Sequence, residues 1–122
     1  MTVRSLISVV DDDESVRESL PDLLQMLGFE TCVFSSAKDF LSSGRIPQTG
    51  CLMLDVSMPG MSGPQLLDEL KLRQWEIPVI FITAERDEAM RARLLQQGAV
   101  ECLFKPFSDT ALQKALNAAF HI

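Results

Sequence analysis

Four short apolar runs in this chain each stop on a residue that carries chemistry. Leu6–Val10 runs into Asp11, Asp12 and Asp13, and Cys51–Leu54 runs into Asp55. Val79–Ile82 runs into Thr83, and Cys102–Phe104 runs into Lys105 and Pro106. Runs this short, with longer amphipathic stretches between them, fit strands covered on both faces. If the strands lie parallel and side by side, carboxylates, a hydroxyl and an ammonium all arrive at one edge of one sheet.

The intervening stretches read as helices. From Glu14 to Leu27, Val16, Leu20, Leu23, Leu24 and Leu27 share one face at helical spacing. Asp13 is placed as the N-cap and Gly28 as the stop. Pro21 falls inside and predicts a bend in a single helix. Glu30–Phe34 reads as a strand, and Ser36 caps a short helix through Leu41. A loop with Gly44, Pro47 and Gly50 follows. Pro64–Arg73 and Asp87–Gln97 are the next helices, the second stopped by Gly98. Glu101–Phe104 is the last strand, and Ser108 or Asp109 caps a final helix to about Phe120. This alternation predicts an α/β fold, a doubly wound five-stranded parallel sheet with helices on both faces. Ligands of such sheets bind beyond the carboxyl ends of the strands, where the strand order reverses. The chemical residues occupy that edge.

Composition narrows the function classes. A net charge of -6 argues against direct nucleic-acid binding, which needs clustered Lys and Arg. Cys32, Cys51 and Cys102 are widely spaced within apolar surroundings, and His121 is the sole histidine, so neither a disulfide framework nor a zinc site is expected. They read as buried strand thiols in a reducing compartment. No apolar stretch is long enough to span a membrane and no signal-peptide pattern opens the chain, which predicts a cytoplasmic location. The 122 residues read as one domain, residues 1–122.

The edge has a definite chemistry. Crowded carboxylates repel one another unless protons or a cation relieve them. Mg²⁺ prefers oxygen ligands and is often held by a couple of carboxylates and a phosphate. Asp11, Asp12 and Asp55, with the backbone carbonyl of Ser57, supply a set of that kind. An Asp carboxylate is also a nucleophile able to form an aspartyl phosphate. Transfer of a phosphoryl group then needs its spread charge neutralised, which Mg²⁺ and Lys105 would do, with Thr83 donating a hydrogen bond.

In these residues the sequence resembles the receiver domains of bacterial two-component response regulators, over essentially the whole chain. The resemblance rests on Val9–Glu14, Asp55, Met58–Gly63, Thr83-Ala84, Gly98-Ala99 and Lys105-Pro106-Phe107. It implies strand order 2-1-3-4-5 and Asp55 as phosphoacceptor. It implies Asp12, Asp55 and the Ser57 carbonyl as direct ligands of Mg²⁺ (or Mn²⁺), with Asp11 acting mainly through a metal-bound water. Thr83 and Lys105 would contact the phosphoryl group, Ala84 would leave room for it, and the Lys105-Pro106 bond would be cis. Ser57 and Glu85 sit where relatives tune the attacking water. The partners implied are a sensor histidine kinase or phosphotransfer protein. A homodimer would form through the fourth helix, fifth strand and fifth helix, with Arg86, Arg91, Arg93, Asp109 and Lys114 as candidate ion-pair residues. The segments Val10–Glu14, Ser36–Leu41 and Gly98–Glu101 resemble receivers of nitrogen-fixation regulators with helix-turn-helix output. That output would control transcription from a domain outside this chain. One departure stands out. Cys102 occupies the position where the family usually carries an aromatic switch residue, so coupling through another packing change is expected.

Other readings fit less of the chain. A phosphatase of the haloacid-dehalogenase type would use Asp11 and Asp13 as Asp-x-Asp, but the chain lacks a cap insertion and a late acidic pair. A receiver-like module that no longer takes phosphate conflicts with intact Asp55, Thr83 and Lys105. A flavin site would need a Ser/Thr/Gly-rich loop after the first strand. Trp75, near the end of the third helix, reads as a packing or surface residue.

Overall fold

The apolar runs are continuous because the sheet they form is covered on both sides. The structure, a computed structural model, describes residues 6–121. The domain limits expected from sequence, residues 1 and 122, lie outside them. The strands are β1 (Leu6–Val10), β2 (Glu30–Phe34), β3 (Thr49–Asp55), β4 (Val79–Thr83) and β5 (Glu101–Phe104). The helices are α1 (Glu14–Met26), α2 (Ala37–Leu41), α3 (Gly63–Leu72), α4 (Glu88–Gln97) and α5 (Asp109–Phe120). The strands pair in parallel in the order β2-β1-β3-β4-β5. Alternate residues of each strand serve opposite faces. Cys51, Met53, Ile80 and Ile82 join Leu20, Leu24, Leu112 and Leu116 in one core under α1 and α5. Leu52, Leu54 and Phe81 join Phe40, Leu66, Leu70 and Leu94 in the other, under α2, α3 and α4.

Local chemistry sets the ends of the helices. Asp13 caps α1 by accepting from the Ser15 amide, and the helix runs unbroken through Pro21. Its C-cap is Leu27, with Gly28 next at a φ of 96°. Ser62 and Gln65 form a reciprocal capping box at α3, so that helix starts at Gly63, one residue earlier than predicted. Asp87 caps α4, and Ser108 rather than Asp109 caps α5.

The loop before β3 differs from the prediction. It holds a 3₁₀ turn at Ile46–Gln48, and the strand starts at Thr49 instead of Cys51. Thr49 is drawn into the sheet by a polar pair that an apolar pattern conceals. Its hydroxyl lies 2.8 Å from that of Ser8, in the middle of β1, and both residues are buried. Gly50 then falls at a register shift, where Leu6 faces Thr49 and Ile7 faces Cys51.

All three cysteines are free thiols. Cys51 and Cys102 are buried, whereas Cys32, on the edge strand β2, is only half-buried. Burial pushes the Cys51 thiol up to about 12. No helix among the described residues is long and apolar enough to cross a membrane. Trp75 precedes β4, at the opposite edge of the sheet from the acidic residues, and packs against the α2–α3–α4 core.

Candidate functional site

The carboxyl edge of the sheet collects the predicted residues. Asp55 is the last residue of β3 and Thr83 the last of β4, while Asp11 follows β1 and Lys105 follows β5. Asp11, Asp55 and Thr83 are buried and Asp12 is exposed. Asp11, Asp12 and Asp55 each offer a carboxylate oxygen, and these atoms lie within 4.8 Å of one another. Asp13 is not among them. Its carboxylate caps α1, so the Asp-x-Asp arrangement of a phosphatase is not assembled.

Asp11 is the most constrained member. Its amide donates to the Phe34 carbonyl at 3.1 Å. Its Oδ1 accepts from the Asp13 amide at 2.9 Å, and its Oδ2 from Lys105 Nζ at 3.0 Å. Its carbonyl accepts from Arg17 at 2.9 Å. Lys105 is aimed from the end of the parallel β4–β5 ladder: its amide donates to the Thr83 carbonyl at 2.7 Å, and a cis bond to Pro106 follows. The Thr83 hydroxyl oxygen accepts from the Glu85 amide at 3.1 Å, which leaves its own proton free to donate.

The turn after β3 brings α3 against Asp55. The Val56 amide donates to Ile82, and the Gly63 amide donates back to the Val56 carbonyl at 3.0 Å. A Cβ at Gly63 would lie 2.3 Å from the Asp55 carbonyl oxygen, so only glycine fits there. Ser57 is exposed in this turn, on a groove of about 580 Å³ that also holds Met58 and Pro59.

Burial pushes the Asp55 carboxyl up to about 7. The Asp11 charge and hydrogen bonding with Asp11 and Asp12 add to the rise, and Lys105 opposes it. A cation among these oxygens would relieve both the burial and the repulsion. The donor set therefore fits a hard divalent ion: oxygen ligands only, more than one carboxylate, and an open, exposed side at Asp12.

Residues 7–117 match the response regulator receiver domain family. This chain belongs to that family. Nodulation protein W of Bradyrhizobium diazoefficiens is 42% identical over 118 residues, which are 97% of this chain and 52% of that protein. The transcriptional regulatory protein FixJ of Azorhizobium caulinodans is 40% identical over 113 residues, covering 93% of this chain and 54% of the relative. The receiver thus spans about half the length of the curated relatives it matches. The crystal structure of FixJ-N superposes with a TM-score of 0.85 at 38% identity, covering 95% of this chain and 93% of that one. The predicted fold and the resemblance to nitrogen-fixation-type receivers are both borne out.

The receiver's α4–β5–α5 face carries a groove of about 550 Å³ whose lining includes Arg86, Arg91, Cys102 and Lys114. Arg91, one of the candidate dimer residues, is already engaged inside the chain. It pairs with Glu101 and Glu88 and donates to the Cys102 carbonyl. Cys102 is buried against the α4 side of the core, and burial pushes its thiol up to about 11.

Sequence reasoning missed two participants. Arg17 was only one more charge on a helix, and its bond to a carbonyl leaves no trace in composition. Gly63 ends the Met58–Gly63 segment, but its contact with Asp55 depends on how α3 docks.

Proposed function

We propose that Asp55 of this receiver accepts a phosphoryl group from a phosphohistidine on a sensor kinase or phosphotransfer protein. The observation that carries the reading is a buried carboxylate at the end of β3, flanked by Asp11 and Asp12, with the Lys105 ammonium held at the same edge. An Asp55 oxygen attacks phosphorus, the P–N bond breaks, and its electron pair leaves with the imidazole. Asp11, Asp12, Asp55 and the Ser57 carbonyl would hold Mg²⁺ or Mn²⁺, which supplies charge neutralisation to the phosphoryl oxygens. Lys105 neutralises the same oxygens from the β5 side, and Thr83 turns its free proton toward them. Exposed Ala84 is too small to block the approach. Ser57 and Glu85 are both exposed and flank the path of the water that would later hydrolyse the acyl phosphate.

Phosphorylation then biases a pre-existing equilibrium of the α4–β5–α5 face. Binding of a second copy there would require the Arg91–Glu101 pair to open or to be shared, leaving Arg86, Arg93, Asp109 and Lys114 for contacts between copies. The domain is a phosphoacceptor in the cytoplasm and does not turn over external substrates. Transcriptional output would belong to a further domain; FixJ, of which this chain covers 54%, is named a transcriptional regulatory protein.

Intact mass after incubation with acetyl phosphate tests the reading. A gain of one phosphoryl group that needs Mg²⁺ and vanishes in Asp55→Asn is expected. A gain that survives the substitution would remove Asp55 as acceptor.

A further inference from the structure

Arg17 is half-buried in the first turns of α1, four residues after Asp13. That spacing suits an ion pair with the Asp13 carboxylate. The observed arrangement is different. Asp13 Oδ1 is taken by the amide and hydroxyl of Ser15, at 3.0 and 2.7 Å. Arg17 turns back over the start of the helix and donates to the Asp11 carbonyl at 2.9 Å. It belongs to none of the ion pairs among the described residues. No loop backbone amide among those residues reaches that carbonyl either. A guanidinium at the rim of an acidic cluster has bonded a neutral oxygen.

That oxygen belongs to the peptide that joins Asp11 to Asp12. The peptide is planar, so fixing it constrains ψ of Asp11 and φ of Asp12 together. Asp11 is already held through its amide and both carboxylate oxygens. Exposed Asp12 depends on the backbone before it for its direction. We infer that Arg17 is a positioning residue for the divalent-cation site, locking the Asp11–Asp12 peptide so that the Asp12 carboxylate stays beside Asp55. This rests on the reading of Asp11, Asp12 and Asp55 as cation ligands.

The sign of the effect separates this role from simple charge. Removing a cation from the rim of an acidic cluster should tighten Mg²⁺ binding. Removing an outer contact that orients a ligand should weaken it, by tenfold or more. The test is a Mg²⁺ titration of the full chain, Arg17→Ala and Arg17→Lys, followed by amide NMR shifts with no phosphodonor present. The dissociation constant is expected to rise roughly tenfold in Arg17→Ala. In Arg17→Lys, which keeps the charge and loses the planar fork, a rise of about threefold or more is expected. In acetyl phosphate labelling, the half-saturating Mg²⁺ should rise in parallel, and the shortfall in rate should narrow as Mg²⁺ is raised.

An unchanged or lower dissociation constant in Arg17→Ala overturns the inference, even if the variant melts earlier. A purely structural role would move the melting temperature and leave metal affinity alone. If Arg17→Ala fails to fold, Arg17→Lys decides by the same comparison. Wild-type protein that binds Mg²⁺ yet takes no phosphoryl group would count against Asp55 as acceptor and leave the Arg17 result standing. Wild-type protein that binds no Mg²⁺ overturns both.

Discussion

Lys105 Nζ lies 3.0 Å from Asp11 Oδ2, across 94 residues of sequence. The strand order explains the reach. Asp11 follows β1 and Lys105 follows β5, with β3 and β4 between them. The pair therefore spans the strand ends that carry Asp55 and Thr83. It also balances Asp11, which has no solvent exposure of its own.

Lys105→Ala should strand that carboxylate. Removing one partner of a buried pair leaves an uncompensated charge. Because Lys105 is partly exposed and Asp13 still donates to Asp11, the loss should be about 2 kcal/mol rather than the full buried-pair figure. Urea unfolding at pH 8 without metal would measure it. Mg²⁺ should recover part of the loss, whereas phosphoryl uptake should stay impaired at saturating metal.

The raised Asp55 carboxyl makes metal-free stability depend on pH. The folded protein holds its proton up to about 7, against an ordinary value of 3.8. A carboxyl displaced upward contributes stability that is fully present below about pH 4 and lost as pH rises through about 7. At ~1.4 kcal/mol per pH unit, the effect is on the order of a few kcal/mol. Asp55→Asn should therefore be the more stable protein at pH 8, with the gap closing toward pH 4. Mg²⁺ should raise the wild-type melting temperature much more at pH 8 than at pH 5. Equal melting curves for the two proteins at pH 8 would sink this account.

Gly63→Ala tests how α3 is seated. The φ of Gly63 is not in the left-handed region, so the backbone itself would accept alanine. Space is the obstacle. The new Cβ would lie 2.3 Å from the Asp55 carbonyl and 3.0 Å from the Phe81 ring. Overpacking of this kind costs about 1–3 kcal/mol. The strain falls on Asp55, the proposed phosphoacceptor, so phosphoryl uptake should slow more than a distant substitution of equal destabilisation would cause. Gly44→Ala, in an exposed turn, provides a comparison from which no slowing is expected.

Most of this site was legible because it is made at strand ends. A strand buried on both faces is a solid apolar run, and the first polar residue after it is conspicuous. Asp55, Thr83 and Lys105 each announce themselves in that way. Ser8 and Thr49 do not, because a buried hydroxyl pair looks like a break in one pattern and a loop residue in the other. Arg17 and Gly63 are hidden for a further reason. Arg17 bonds the Asp11 carbonyl only when its side chain turns back over the start of α1, and Gly63 meets the Asp55 carbonyl only once α3 docks.

Helix α4 offers the last test, because apolar burial does little to hold it. Leu94 is its one buried residue. Polar contacts pin its two ends instead. Arg91 pairs with Glu101 toward the start, and Gln97 bridges to α3 at the finish. Gln97 Nε2 donates to the Pro64 carbonyl at 3.0 Å and to Asp68 Oδ1 at 2.9 Å, while its carbonyl accepts from Lys71. Gln97→Ala removes the two side-chain bonds and keeps the helix propensity, so global stability should fall by only about 1 kcal/mol. Local opening should respond more. Amide exchange in the last turns of α4 should quicken several-fold, while β3 and β4 exchange at rates set by the small global loss. Hydrogen-exchange mass spectrometry on the unphosphorylated protein would show it. If α4 and the central strands quicken by the same factor, α4 is not an independently opening element and its position is fixed by the core.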